Sequence, residues 1–286
     1  MSSIWRPVRE RAPARSMMVV VAHPGDEAFG FGGAIATAAA NGAYVVVVCV
    51  TRGWFDARLT VASPLPGGKN RDAKTGAINW RNIDTVREDE LRRSVALLGV
   101  RVVRMLDYAE GDLDREDFDN LVGRIVEPIR MHRPEVILSF GADGVTGDSD
   151  HVVLSRAVRA AYDRAAEPLA YEDDLEEDQV AWRAAKLYDL VVPPSALAAL
   201  GDRLPADGYG SGAGAEPTVA IDLGEFAQLK LAAISRHVSQ TGSAGPFHDW
   251  GSDQRDAWLS TEHYRLAASA LAAQVDGEAS LFDGLT

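Results

Sequence analysis

Apolar and polar positions follow one another along the chain in blocks that are typical of an α/β protein. Four apolar, β-branched runs predict buried strands, at Met17–Ala22, Tyr44–Thr51, Val100–Leu106 and Pro134–Phe140. Alanine-rich or amphipathic segments between and after them predict helices, at Ala28–Asn41, Thr85–Leu98, Glu116–Met131 and His151–Ala166. This alternation predicts parallel strand pairing through right-handed crossovers.

The predicted architecture is a doubly wound, mostly parallel sheet with helices on both faces and a first-half strand order of 3-2-1-4. The second half is less regular, with further strands predicted at Lys186–Val192 and Thr218–Leu223 and a helix at Glu225–Gln240. No internal repeat or clear linker divides the sequence. We therefore expect one domain over residues 1–286, with a core at 17–166 and a C-terminal elaboration at 167–286.

Composition narrows the class of partner. The chain of 286 residues has 29 basic and 42 acidic residues, and its net charge of -13 opposes binding to nucleic acid or to an anionic membrane. Its one cysteine, Cys49, lies within an apolar run that predicts a strand, so we expect its side chain to be buried. Because a single cysteine forms no internal disulfide, we expect a reducing compartment. Since no segment approaches the about 20 apolar residues of a membrane span, we expect a cytoplasmic protein.

Two polar clusters are predicted to meet in one crevice. The first strand runs into His23 and Asp26, and the fourth leads into "GADGVTGDSDH", which ends at His151. In doubly wound sheets, ligands bind beyond the carboxyl ends of the strands where the winding reverses. Two imidazoles and a carboxylate with an open position have the composition of a catalytic zinc site, and iron(II) accepts the same ligands.

The residues also resemble a known family. "AHPGDE" at positions 22–27 and the downstream "GVTGDSDH" are similar to the Ala-His-Pro-Asp-Asp-Glu and Gly-His-Pro-Asp-His motifs of the LmbE/PIG-L family of zinc-dependent N-acyl deacetylases. "VREDELRRSVALLGV", "LDYAEGDL" and "KLAAISRHVSQ" extend the resemblance over most of the chain. It implies a Rossmann-like fold and a metal, Zn²⁺ or Fe²⁺, held by His23, Asp26 and His151.

The sequence departs from the family pattern at two positions. Gly25 stands where the family motif has an aspartate, and the resemblance implies that this aspartate is a general base. Asp148 stands where the family has a histidine, for which the resemblance implies stabilisation of the oxyanion or protonation of the leaving amine. Three interpretations remain open: Asp148 is a relocated base, the metal site performs a non-hydrolytic biosynthetic reaction, or the protein is a catalytically silent binding relative. Asp150 keeps its family position and is expected to orient a metal ligand or residue 148.

Four residues are candidates for substrate contact. Arg87 and Glu110 occupy positions that resemble substrate-contacting positions of the family. Trp54 lies in the long polar stretch from Gly53 to Asp84, which we interpret as a lid or specificity loop. His248 lies in "GPFHDWG" and is a candidate for the imidazole that position 148 lacks.

The sequence thus predicts a metal-dependent, deacetylase-like hydrolase that cleaves an N-acyl or related C–N bond. Its substrate is expected to be a small polar molecule, amino-sugar-like or from secondary metabolism. Altered metal chemistry and silent binding are the alternatives, and a homo-oligomer is left open.

Overall fold

A computed structural model describes residues 15–53, 83–145, 147–171, 180–196, 216–241, 251–272 and 277–285. Within them the strands form one sheet of seven in the order β3-β2-β1-β4-β5-β7-β6. The strands are β1 Ser16–Val21, β2 Tyr44–Thr51, β3 Val102–Tyr108, β4 Val136–Phe140, β5 Lys186–Val191, β6 Val219–Asp222 and β7 Thr261–Ser269. The first five pair in parallel, whereas β7 is antiparallel to both β5 and β6.

Helices connect the strands in the way the sequence predicts. The α-helices among the described residues are α1 Asp26–Phe29, α2 Gly32–Ala40, α3 Ile83–Leu97, α4 Phe118–His132, α5 Ser149–Arg164, α6 Phe226–Ile234 and α7 Ser252–Ser260. A short 3-10 helix, Leu113–Arg115, follows β3. None of the helices in these ranges has both the length and the apolar character that a membrane crossing needs.

The centre of the sheet is fully covered. Every residue of β1 after Ser16 and every residue of β2 after Tyr44 is buried, Cys49 included. Parallel strands that are covered on both faces have this continuous apolar composition, because neither face meets water. The predicted α/β fold class and the order 3-2-1-4 are therefore confirmed.

The helix predicted over Ala28–Asn41 is wrong in its boundaries. The segment forms two helices, α1 and α2, separated at Gly30 and Phe31. Glu262 of β7 explains the break, since its buried carboxylate accepts hydrogen bonds from the amides of Gly33 and Ala34 at 2.7 and 2.8 Å. These amides lack partners within a helix that starts here, so a remote residue fixes the start of α2.

The C-terminal half also differs from its prediction. The helix predicted at Glu225–Gln240 ends at Ile234, and the strand β7 and the helix α7 were not predicted. The sequence of β7 has no clear apolar alternation, because one of its two buried residues is the charged Glu262 and the other is Tyr264. Pairing with β5 and β6 on its two sides supplies the backbone hydrogen bonds that make it a strand.

The C-terminal segment is held to the sheet by a buried ion pair. Lys186 of β5 lies 2.5 Å from Glu278, and the two side chains are 1% and 2% exposed. Tyr188 donates a hydrogen bond to the other oxygen of Glu278 at 2.7 Å. Removing one partner of such a pair leaves a buried charge without compensation.

We expect Glu278→Ala to lower the free energy of unfolding by about 3–5 kcal/mol, measured by urea denaturation. The control is Glu88→Ala, which removes the solvent-exposed pair of Glu88 with Arg92 and should cost about 0.3–0.5 kcal/mol. Equal losses in the two variants would contradict a structural role for the buried pair.

Candidate metal centre

Three side chains meet beyond the carboxyl ends of β1 and β4. His23 lies on the turn after β1, Asp26 is the first residue of α1, and His151 lies in the first turn of α5. Nδ1 of His23 and Nε2 of His151 are 3.2 Å apart. Oδ2 of Asp26 is 3.6 Å from the first nitrogen and 3.3 Å from the second. The structure therefore brings the three predicted ligands to one point.

The outer nitrogen of each ring is held by an acceptor. Nε2 of His23 lies 3.0 Å from Oδ2 of Asp150, and Nδ1 of His151 lies 3.0 Å from the carbonyl oxygen of Gly144. Gly144 has a φ of 68°, and a Cβ there would lie 2.8 Å from Cβ of His151, so a side chain does not fit. Partners of this kind fix the orientation of metal-binding imidazoles and raise their basicity.

Asp150 links the crevice to the segment after β3. It is fully buried, and besides His23 it accepts hydrogen bonds from the amides of Gly111 and Leu113 at 2.6 and 3.1 Å. Of the two roles that the sequence left open, the contacts of its side chain are those of a residue that orients His23. Burial raises its pKa, but these hydrogen bonds prevail and lower it.

The electrostatic environment of the three donors favours a cation. Burial opposes protonation of His23, yet the hydrogen bond to Asp150 and the charge of Asp26 raise its pKa to about 9. Burial is likewise outweighed at Asp26, where His151 and His23 lower the pKa to about 2. For His151, too, the charge of Asp26 outweighs burial and raises the pKa.

The donor geometry fits a tetrahedral metal ion. Two ligand atoms bonded at about 2.0–2.1 Å with tetrahedral angles lie about 3.3–3.4 Å apart. The three observed separations of 3.2, 3.3 and 3.6 Å are close to this value. One carboxylate and two imidazoles, which are neutral once a metal ion has displaced their protons, also match the donor types of catalytic zinc.

Asp148 lies beside this donor set. One ligand atom each from Asp148, His23 and His151 lie within 4.8 Å of one another. Oδ1 of Asp148 accepts hydrogen bonds from the amides of Asp150 and His151 at 2.8 and 3.3 Å, so the residue also caps α5. The residue is exposed, which places a carboxylate at the mouth of the crevice.

Gly25 has a backbone conformation that other residues rarely adopt. Its φ is 117° and its ψ is -37°. A Cβ built on this backbone would lie 3.9 Å from the ring of His237. An aspartate at this position would therefore need both a strained backbone and a side chain that starts towards His237.

Arg87 and Glu110 form an ion pair inside the protein. Arg87 also donates hydrogen bonds to the carbonyl oxygens of Gly53 and Pro24, each at 3.2 Å, and its side chain is 2% exposed. These contacts join the loops that follow β1, β2 and β3. Contact of Arg87 and Glu110 with a substrate stays a prediction.

Two other candidates, Trp54 and His248, lie outside the described residues, as does most of the predicted loop at Gly53–Asp84. Two separate sets of buried hydrogen bonds were not predicted from the sequence, and the first lies below the turn from His23 to Asp26, which is called the metal turn. Glu27 accepts hydrogen bonds from His237 and Ser94, and Glu90 accepts two from Ser239. The motif "KLAAISRHVSQ" contains His237 and Ser239 and was the available signal.

Comparison with known proteins identifies the family. Residues 18–162 match the model of the PIG-L family, described as GlcNAc-PI de-N-acetylase. The chain is 31% identical, over 96% of its length and 99% of the relative's, to a 1D-myo-inositol 2-acetamido-2-deoxy-alpha-D-glucopyranoside deacetylase of Geodermatophilus obscurus. A Rhodococcus jostii protein of the same name is 32% identical, with coverages of 95% and 98%.

A solved structure supports the same fold. The N,N'-diacetylchitobiose deacetylase from Pyrococcus horikoshii superposes with a TM-score of 0.61 at 18% identity, covering 88% of this chain and 83% of that one. The relatives confirm the amide-cleaving hydrolase expected from the sequence, and the family's deacetylases are metal-dependent. The chain belongs to the PIG-L family of deacetylases.

Proposed function

We propose that this protein removes the acetyl group from a 2-acetamido sugar that is joined to a small polar group such as an inositol. The observation that carries this proposal is the triangle of donors formed by His23, Asp26 and His151. The names of the full-length relatives supply the class of substrate. Hydrolysis of the amide gives acetate and a free amine.

We propose that the site holds Zn²⁺ on His23, Asp26 and His151. A bound ion of this type supplies Lewis acidity, which makes water acidic near neutral pH and polarises an amide carbonyl. Asp150 and the Gly144 carbonyl keep both rings in position for binding. Iron(II) would accept the same donors.

Asp148 takes the part of the general base in this proposal. Its carboxylate is exposed beside the donors, where it accepts a proton from the attacking water and returns it to the amine nitrogen as the C–N bond breaks. An ionised carboxylate accepts hydrogen bonds and cannot donate one to an oxyanion. We therefore expect slower turnover than in family members that have aspartate at position 25 and histidine at position 148.

The first test is the metal content of the purified protein after incubation with zinc. We expect the native protein to bind about one zinc ion per chain and to release acetate from N-acetylglucosaminyl-inositol. His23→Ala should lose both the bound zinc and the release of acetate. His132→Ala, at the end of α4, is the matched control and should keep both properties. A native protein that binds no zinc would contradict the proposed site.

A second prediction concerns Asp148. Asp148→Asn should keep the metal but lower kcat for acetate release by about 10²- to 10⁴-fold, because the amide cannot accept the proton. Asp143→Asn, in the same loop, is the control and should keep its activity. An Asp148→Asn protein with native kcat would exclude Asp148 as the base.

A third prediction is that Gly25→Asp does not restore a family-like rate. The positive φ of Gly25 should cost about 1–3 kcal/mol of stability in this variant, measured by urea denaturation. The control is Gly42→Asp, since Gly42 also has a positive φ, of 83°, and nothing within 4 Å of a Cβ. This variant should show the stability cost of the backbone strain alone and keep the native kcat. An increase in kcat of Gly25→Asp without loss of stability would contradict this prediction, because the turn would then hold an aspartate without backbone strain.

A further inference from the structure

Glu27 is the buried residue that fixes the metal turn. Its side chain has no solvent exposure, and its Oε2 accepts a hydrogen bond from the amide of Gly25 at 2.8 Å. Gly25 lies between the two ligands of this turn, His23 and Asp26. The position of Glu27 is therefore coupled to the backbone that sets the separation of these ligands.

Two side chains from other helices hold Glu27 in place. Ser94 of α3 donates to Oε1 at 2.6 Å, and Nε2 of His237, which follows α6, lies 2.6 Å from the same oxygen. A buried carboxylate needs such partners, because its transfer from water is otherwise unfavourable. His237 brings the only ring among these contacts, and it is itself fully buried.

The second nitrogen of His237 faces Gly25. A Cβ on Gly25 would lie 3.9 Å from Nδ1 of His237, and this nitrogen has no hydrogen-bond partner within the described part of the chain. The imidazole therefore acts on the metal turn through Glu27, and its ring lies on the side of Gly25 to which a Cβ would point. Substitution of His237 should therefore change the geometry of the metal turn as well as the stability of the fold.

We propose that His237 is a positioning residue of the metal centre, which acts through Glu27 and the Gly25 amide to hold His23 and Asp26 at metal-binding separation. This inference rests on the proposed metal site. It assigns a role in the site to the segment after α6, within residues 167–286, which contribute none of the proposed ligands. Its Nε2 contacts Glu27, so His237 is assigned no direct contact with the ion.

A purely structural role for His237 would resemble that of Ser239. Ser239 follows α6 as well, and its amide and hydroxyl donate to the buried Glu90 at 2.9 and 2.5 Å. Glu90 lies on α3 and is not part of the metal turn. Ser239→Ala therefore removes a buried hydrogen bond to a carboxylate without acting on Gly25, and it is the matched control.

The experiment measures the zinc dissociation constant of the full chain by competition with a chromophoric chelator, with urea denaturation of each metal-free variant. We expect His237→Phe, which keeps a ring but cannot donate, to weaken zinc binding by about 10- to 100-fold. His237→Gln should retain affinity close to native, because its amide nitrogen can donate to Glu27 as Nε2 does. Ser239→Ala should lose stability and keep its zinc affinity.

His237→Asn provides the same comparison if the phenylalanine variant does not fold. Its amide is too short to reach Glu27, so its zinc affinity should fall below that of His237→Gln. Native zinc affinity in both the Phe and Asn variants, or an equal loss in Ser239→Ala, would overturn the inference. A native chain that fails to bind zinc would instead overturn the proposed function.

Discussion

Parallel pairing of β1 with β4 is the interaction on which the site depends. Met17, Met18 and Val19 pair with Val136, Ile137 and Leu138, which sets the two strand ends side by side at one edge of the sheet. The turn after β1 and the helix after β4 then start from neighbouring points, and their histidines meet. A shift in their register would move the turn after β1 relative to the helix after β4, and the two histidines would no longer meet.

Buried carboxylates organise the loops around that edge. Asp150, Glu27, Glu90 and Glu262 are all buried, and each accepts hydrogen bonds from groups distant in sequence. A buried carboxylate is favourable only when its lone pairs are satisfied, so each one dictates where its donors lie. The metal turn is the meeting point of two of them, Glu27 below it and Asp150 behind His23.

The two departures from the family pattern have different physical consequences. Gly25 removes a side chain and allows a backbone conformation that an aspartate would adopt only under strain. Asp148 adds an exposed carboxylate at the crevice while it keeps a helix-capping role. Neither change alters the three proposed ligands, so the donor geometry for a metal is kept while the groups proposed to move protons differ.

The sequence by itself determined the α/β class, the order of the first four strands, the family and the residues that gather in the crevice. Apolar runs and short motifs are local signals, and the winding rule converts them into a site. Only the tertiary structure decided the break between α1 and α2, the strand β7, the internal contacts of Arg87 and the position of His237 below Gly25. Each of these depends on a partner that is distant along the chain, such as Glu262 for α2 or Glu27 for His237. Local propensity carries no information about such partners, because burial and pairing arise only when the whole sheet has assembled.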